Sequence, residues 1–249
     1  MRKILEKLKT GELSIEEAEQ ILKKGYFTIE NFLKFDVFRE LRHGIPEVII
    51  AEGKTLSQLV TTLKKLKEIK EHIIVTRLDR NIYRKLRTTI PRLRYYKEAE
   101  IAIFGHTDKK FKDLTVAILT GGTTDIKYAE ECRLILEEFG VNVLSGYDIG
   151  VAGLHRIIDF LKENITKKIR IYIIFAGREA ALPTLVAGLV DAPVIGVPVK
   201  SGYGYQADGS AALGTMLQSC IPIAVVNINS GFSAAIVALQ ILRQLKIEN

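Results

Sequence analysis

Leu114-Thr-Val-Ala-Ile-Leu119-Thr120-Gly121-Gly122-Thr123-Thr124-Asp125-Ile-Lys-Tyr-Ala129-Glu-Glu-Cys132 is the stretch on which the fold turns. Its opening, Leu114–Leu119, is a continuous apolar run rather than an alternating one, as expected of a strand buried on both faces. A short polar turn with two glycines follows. Beyond it the apolar residues recur at helical spacing: Ala129, Cys132, Ile135, Leu136 and Phe139 share one stripe, and Gly140 stops the helix. Strand, glycine turn and helix in that order are the repeating unit of a parallel α/β sheet.

The pattern recurs to the end of the chain. Val141–Ser145 is a strand, followed by Asp148-Ile-Gly150-Val-Ala-Gly153-Leu-His155-Arg156 and a helix to about 163. Arg170–Phe175 is a strand ending in Ala176-Gly177-Arg178-Glu179-Ala180-Ala181-Leu182-Pro183, with a helix behind it. Pro193–Val197 leads into Pro198, Lys200 and Gly202-Tyr203-Gly204, and a helix at about 209–218 precedes the strand Ile223–Asn227. Phe232–Leu245 is a helix, apolar almost all round, which suits a subunit interface better than a solvent-facing surface.

The first half has a different texture. Two short helices flank Thr10-Gly-Glu-Leu-Ser14, and Ser14 with Glu17 completes a capping box. A turn-rich segment, Phe35-Asp36 to Glu47, leads to a strand at Val48–Ala51, a helix from about 55 to 70, a strand at His72–Thr76, a helix at Arg80–Thr88 and a third strand within Tyr95–Phe104. The expected division is a helical segment over 1–34, a small α/β domain over 35–112 and a larger α/β domain over 113–249.

With 249 residues, 47% of them hydrophobic and 26% charged, the chain has room for one large or two modest domains. No apolar run approaches the ~20 residues needed to span a bilayer. The start lacks the apolar core and cleavage site of a signal peptide, so a cytoplasmic location is expected. Two cysteines, Cys132 and Cys220, argue against a disulfide framework and a metal knot. Residues 1–112 carry 25 Lys and Arg against 16 Asp and Glu, whereas residues 113–249 carry 11 against 13. The basic half has glutamates mixed among helix-surface lysines such as Lys64, Lys65, Lys67 and Lys70, the composition of a solvated face rather than a polynucleotide groove. Neither a nucleic-acid nor a membrane partner is expected; anionic small molecules remain compatible.

Ligands of open α/β sheets bind beyond the carboxyl ends of the strands, near a topological switch point. Gly121-Gly122-Thr123-Thr124 sits at such an end and precedes a helix, where free N–H groups and the helix dipole favour an anion; a tight turn needing glycine for its backbone alone is the alternative. His155 can exchange protons near neutrality and Arg156 can grip a phosphate or carboxylate, or the pair can cap a helix. Glu179 is a carboxylate in a small, apolar loop, where burial would raise its pKa and suit it to acid–base work. Cys220, in Met216-Leu-Gln-Ser-Cys220-Ile-Pro, lies between a small-residue helix and a strand, and is either a covalent nucleophile or a small buried hydrophobe. Cys132, on its helical stripe, is a core residue.

Four of these segments together resemble the aminoimidazole ribonucleotide carboxylases and mutases of purine synthesis: Gly122–Asp125, His155-Arg156, Ala176–Pro183 and Pro193–Val199. The match narrows with Asp148–Arg156, Val197-Pro198 through Gly202-Tyr203-Gly204, Ala211–Leu213, Met216–Cys220, Val225–Phe232 and, in the first half, Arg39–Val48 and Gly53–Thr55. These resemble the LarB family, the carboxylase/hydrolases of nickel-pincer nucleotide synthesis. The resemblance implies a three-layer flavodoxin-like C-terminal domain with a parallel sheet, preceded by a smaller α/β domain. It implies an enzyme that carboxylates the pyridinium ring of nicotinic acid adenine dinucleotide with CO2 and cleaves its phosphoanhydride, releasing AMP.

The roles the resemblance implies are Cys220 as covalent nucleophile, with Glu179 and His155 in acid–base work. Gly122, Thr123, Thr124, Asp125, Asp148, Gly153, Arg156, Gly177, Lys200, Gly202, Tyr203 and Asn227 would bind substrate. Mg2+ would accompany the substrate phosphates, no organic cofactor is needed, and assembly into an octamer or other homo-oligomer is expected. The chain departs from the usual family pattern at Arg178 and Ala180 (Met and Gly), at Val199-Lys200-Ser201 (Thr-Ser-Val) and at Asn229-Ser230 (Asp-Asn), changes that bear on substrate and activity.

Overall fold

A computed structural model describes residues 2–202 and 204–247. The chain divides into two compact units at Thr107/Asp108.

The first unit opens with α1 (Arg2–Lys9) and α2 (Ile15–Lys24). Ser14 caps α2 through the Glu17 N–H while the Glu17 carboxylate accepts from the Ser14 N–H, so two orphan donors are satisfied reciprocally. A β-hairpin follows, β1 (Tyr26–Ile29) against β2 (Leu33–Asp36), inside the segment expected to be helical. Then come α3 (Arg39–His43), β3 (Ile49–Ile50), α4 (Leu56–Ile69), β4 (Ile73–Thr76), α5 (Arg80–Thr89), β5 (Arg94–Tyr96) and β6 (Ile101–Phe104). The sheet runs β3-β4-β6-β5, with β3 and β4 parallel and the other pairs antiparallel. The single strand expected within 95–104 is two, because the chain turns at Glu100, whose N–H reaches the Lys97 carbonyl at a left-handed φ of 50°. Leu59, Leu63 and Leu66 bring one face of α4 into the core with Val75, Leu78 and Leu86.

The second unit contains β7 (Thr115–Thr120), α6 (Ile126–Glu138), β8 (Asn142–Gly146), α7 (Leu154–Glu163), β9 (Ile169–Ala176), α8 (Leu182–Ala187), β10 (Val194–Pro198), α9 (Ser210–Leu217), β11 (Ala224–Val225) and α10 (Gly231–Ile247). All five strands are parallel, in the order β8-β7-β9-β10-β11, the doubly wound flavodoxin-like arrangement. The order reverses between β7 and β9, whose ends are level: Thr120 pairs with Phe175, and Ala176 with Pro198. Val116 to Leu119 and Ile171 to Phe175 are buried on both sides of the sheet, which is why these runs do not alternate.

Two buried devices seat α10 on α6. A Cβ at Gly231 would lie 2.0 Å from the Tyr128 carbonyl, so only glycine permits that approach. The buried Glu131 carboxylate accepts the Phe232 N–H at 3.1 Å, negative charge against a helix amino end. Ala234, Ala235, Ala238, Leu239 and Leu242 are buried, while Phe232, Ile236, Val237 and Ile241 are half-buried. Part of the apolar surface of α10 is therefore accounted for within its own chain. Cys132 is fully buried in the same seam, and burial followed by the nearby Glu131 charge pushes its thiol well up from the ordinary value.

Candidate functional site

A cleft of about 310 Å³ opens at the switch point, walled by three loops at the carboxyl edge of the sheet. Gly121, Gly122, Thr124 and Asp125 come from the turn after β7; Gly150, Val151 and Ala152 from the loop after β8; Ala176 to Leu182 from the loop after β9. Ser201, after β10, completes the lining.

The first wall is locked from below. The Gly121 N–H donates to the Phe175 carbonyl at 2.9 Å, and the Thr120 hydroxyl accepts the Asp148 N–H at 2.9 Å. Gly150 passes so close over the turn that a Cβ there would lie 2.4 Å from the Gly121 carbonyl oxygen. Asp125 folds back beneath its own turn, accepting the Gly122 N–H at 2.9 Å on one oxygen and the Thr124 hydroxyl at 3.3 Å on the other. Only 4% of Asp125 is exposed. Burial raises its carboxyl to about 6 against the lowering effect of the Gly122, Thr124 and Gly121 bonds, with the Asp148 charge adding slightly to the rise. A carboxyl that titrates near neutrality at the foot of a cleft is equipped to exchange protons.

The opposite wall is strained. The Ala180 N–H returns to the Gly177 carbonyl at 2.9 Å, closing a turn in which Arg178 and Ala180 both hold left-handed φ values, 52° and 46°. Such conformations cost non-glycine residues on the order of 1 kcal/mol each and concentrate at functional sites. Glu179 lines the cleft, but it is exposed. The burial expected around Glu179 is absent: Arg178 and Glu179 form the exposed corner of a turn whose flanking Ala180 and Leu182 are buried, and a buried carboxylate is found instead at Asp125, across the cleft.

The remaining expected residues are dispersed. Gly153 is buried at the start of α7, and Arg156 reaches back to the carbonyl and, at 3.3 Å, the carboxylate of Asp148, itself at φ 55°. Arg156 thus organises the loop after β8 and does not line the cleft. His155 is exposed on the first turn of α7, and Thr123 is exposed on the turn after β7. Lys200 donates its backbone N–H to the Asn229 side chain at 2.9 Å, and the Asn229 N–H reaches the Pro198 carbonyl at 2.8 Å, tying the ends of β10 and β11 together. Gly202 holds φ 73°, and the exposed Asn227 accepts the Ile228 N–H at 2.8 Å. Tyr203 lies outside the described residues.

Cys220 is exposed, and it stands away from the cleft. It precedes β11 rather than following it. Ala224 pairs with Ile195, which is level with Ile173, three residues below the cleft-lining Ala176. That is roughly 10 Å of strand at about 3.3 Å per residue, and Cys220 lies four residues further toward the amino edge. The signal was legible in the sequence: a residue entering a parallel strand sits at the edge opposite one leaving it.

Among the described residues no group of three or more His, Cys, Asp or Glu side chains is placed to hold a metal ion, and no helix is long and apolar enough to cross a membrane. Asp125 and Glu179 are the two carboxylates among the described residues of the cleft, and both Asp125 oxygens are taken by its own turn.

Comparison with known proteins places this geometry in context. The AIR carboxylase family matches residues 115–248, and the LarB/PurE-like N-terminal domain matches residues 27–106. An uncharacterized protein of Methanocaldococcus jannaschii is 37% identical over 246 residues, 96% of this chain and 95% of that protein. The N5-carboxyaminoimidazole ribonucleotide mutase of the same organism is 40% identical over 137 residues, 54% of this chain and 82% of the mutase. The solved PurE of Treponema denticola is 27% identical with a TM-score of 0.45, over 52% of this chain and 80% of that one.

Proposed function

This chain belongs to the AIR carboxylase family and carries the LarB/PurE-like N-terminal domain, and from its cleft we propose that it carboxylates the pyridinium ring of nicotinic acid adenine dinucleotide. The reaction would also cleave the phosphoanhydride, giving AMP and pyridinium-3,5-biscarboxylic acid mononucleotide. The observation that carries the reading is the pairing, in one switch-point cleft, of a glycine turn at a helix amino end with a buried carboxyl at about 6. The Thr123 and Thr124 N–H groups beyond the two glycines suit a phosphate, and the carboxyl suits a proton transfer at neutral pH.

The chemistry follows from the ring. Pyridinium is electron-poor and does not attack CO2. Addition of the Cys220 thiolate para to the nitrogen forms a carbon–sulfur bond and leaves a dienamine, whose adjacent carbon is nucleophilic. That carbon bonds to CO2, and the iminium is restored. Asp125 takes the proton from the same carbon, and expulsion of the thiolate returns the aromatic ring. The exposed Glu179 is the cleft carboxylate that would help hold a Mg2+ ion brought by the diphosphate, an ion that would supply charge neutralisation at the anhydride. The Arg156-braced loop after β8, packed against the turn after β7 through Gly150, would back the phosphate-binding wall.

Cys220 and the cleft occupy opposite edges of one sheet, so this mechanism requires a second copy of the chain to bring its thiol to the cleft. Leu217 and Leu189, 68% and 55% exposed, leave apolar surface bare on the α9 and α8 ends near Cys220, as an interface between copies would use. A homo-oligomer is therefore part of the proposal, and a light-scattering mass near the 27.9 kDa of one chain would refute it.

One observation favours a second reading. The cleft stands without Cys220, and aminoimidazole is electron-rich enough to need no thiol, so an N5-carboxyaminoimidazole ribonucleotide mutase is the alternative. Incubation with nicotinic acid adenine dinucleotide, bicarbonate and Mg2+ separates the two. Release of AMP with incorporation of labelled carboxylate supports the first; turnover of N5-carboxyaminoimidazole ribonucleotide alone replaces it with the second.

A further inference from the structure

Among the described residues lining the cleft, Arg178 is the one cation; the others offer backbone groups, hydroxyls and the carboxylates of Asp125 and Glu179. It occupies the first corner of the turn closed by the Ala180 N–H and the Gly177 carbonyl, at φ 52°. A left-handed first corner is ordinarily given to glycine. The loop has little freedom to relieve this, because Gly177 is pressed on the next strand end: a Cβ there would lie 3.1 Å from the Val199 carbonyl. The chain thus holds a long, charged side chain in a conformation where glycine would be easier, on the rim of an anion-sized cleft. Strained backbone of this kind is concentrated at ligand sites, and here it carries the one cation of the cleft.

Two anionic parts of a pyridine nucleotide compete for that cation. The phosphate has a separate receptor in the Thr123 and Thr124 N–H groups that open the helical turn after β7, since the Gly121 and Gly122 N–H groups are already bonded within the protein; Arg178 lines the same cleft from the loop after β9. That leaves the ring carboxylate for the guanidinium on the other wall, which matches a planar carboxylate with two parallel hydrogen bonds. We infer that Arg178 is a specificity-determining residue, reading the ring carboxylate of the substrate and distinguishing a pyridine carboxylic acid from its carboxamide. The inference rests on the pyridinium reading above.

The experiment is titration calorimetry with nicotinic acid mononucleotide and nicotinamide mononucleotide, which differ only in that group. The wild-type chain should bind the acid at least about tenfold more tightly, since one charge-assisted bidentate contact is at stake. Arg178→Gln should bring the ratio to within about twofold while leaving the amide's affinity nearly unchanged. Arg178→Gly, which removes the strain as well as the cation, should lose the preference equally and melt at a higher temperature, so misfolding does not imitate the result. An unchanged ratio in either variant, an equal loss for both ligands, or equal binding of both by the wild type overturns the assignment while leaving the carboxylase reading intact. A wild-type chain that binds neither mononucleotide overturns both.

Discussion

Replacing Asp125 by Asn should make the protein's stability respond to pH in a way the wild type does not. The folded carboxyl is raised to about 6 from an ordinary value of 3.8, chiefly by burial. The folded state therefore holds its proton where the unfolded state has released it. Below pH ~4 both states are protonated and the group costs nothing. Between pH ~4 and ~6 the unfolded chain gives up the proton first, so stability falls as pH rises, and the loss is complete above the folded value. A difference of about two pH units at about 1.4 kcal/mol each amounts to about 3 kcal/mol. The Asp125→Asn side chain keeps an oxygen for the Gly122 N–H and cannot ionise, so it escapes this loss. Urea denaturation of both proteins from pH 4 to 8 should show the variant gaining on the wild type by up to about 3 kcal/mol across that window and by nothing further above it. A stability difference that stays flat from pH 4 to 8 refutes the raised carboxyl, and with it the choice of Asp125 as the proton acceptor.

The two thiols should separate cleanly. Cys220 reacts with a disulfide reagent in the native protein while Cys132 does so only after unfolding, and two fast thiols would contradict the seam around α6 and α10. Gly150→Ala puts a methyl 2.4 Å from the Gly121 carbonyl oxygen, a backbone atom, and should cost about 1–3 kcal/mol in denaturant titration together with loss of mononucleotide affinity. Arg156→Ala should weaken nicotinic acid mononucleotide by about 1–2 kcal/mol by releasing the Asp148 loop, with unchanged calorimetric affinity as the result that removes Arg156 from the site. Cys220→Ser should abolish carboxylation with an unaltered melting temperature, and full turnover would end the covalent mechanism.

The second unit was legible in the sequence because its strands are buried on both faces and announce themselves as unbroken apolar runs. The helix stripe of Ala129, Cys132, Ile135 and Leu136 likewise is a local signal, and all four are buried. The first unit was harder, since its strands are short: β3 spans Ile49–Ile50 only, and the turn at Glu100 that separates β5 from the buried β6 carries neither Gly nor Pro to mark it. In the site, glycine turns identified which loops meet at the cleft, because a strand end is a local property. Which carboxylate is buried was not legible. Asp125 is buried because its carboxylate folds back onto the Gly122 N–H and the Thr124 hydroxyl of its own turn, whereas Glu179 is exposed on its turn, and residue type alone does not distinguish the two.

The seam between α6 and α10 has a consequence for how the second unit comes into being. Glu131 waits 101 residues for the Phe232 N–H that receives its buried carboxylate. β7, the first strand of the unit to be synthesised, lies inside the sheet and must later accept β8 on one side and β9 on the other. During translation, therefore, the side of α6 that meets α10 stays uncovered after its sheet-facing side has packed on β7 and β8, and a charged group sits on that side. Until α10 arrives the Glu131 carboxylate keeps water as its partner, and α10 then replaces that water with its own amino end.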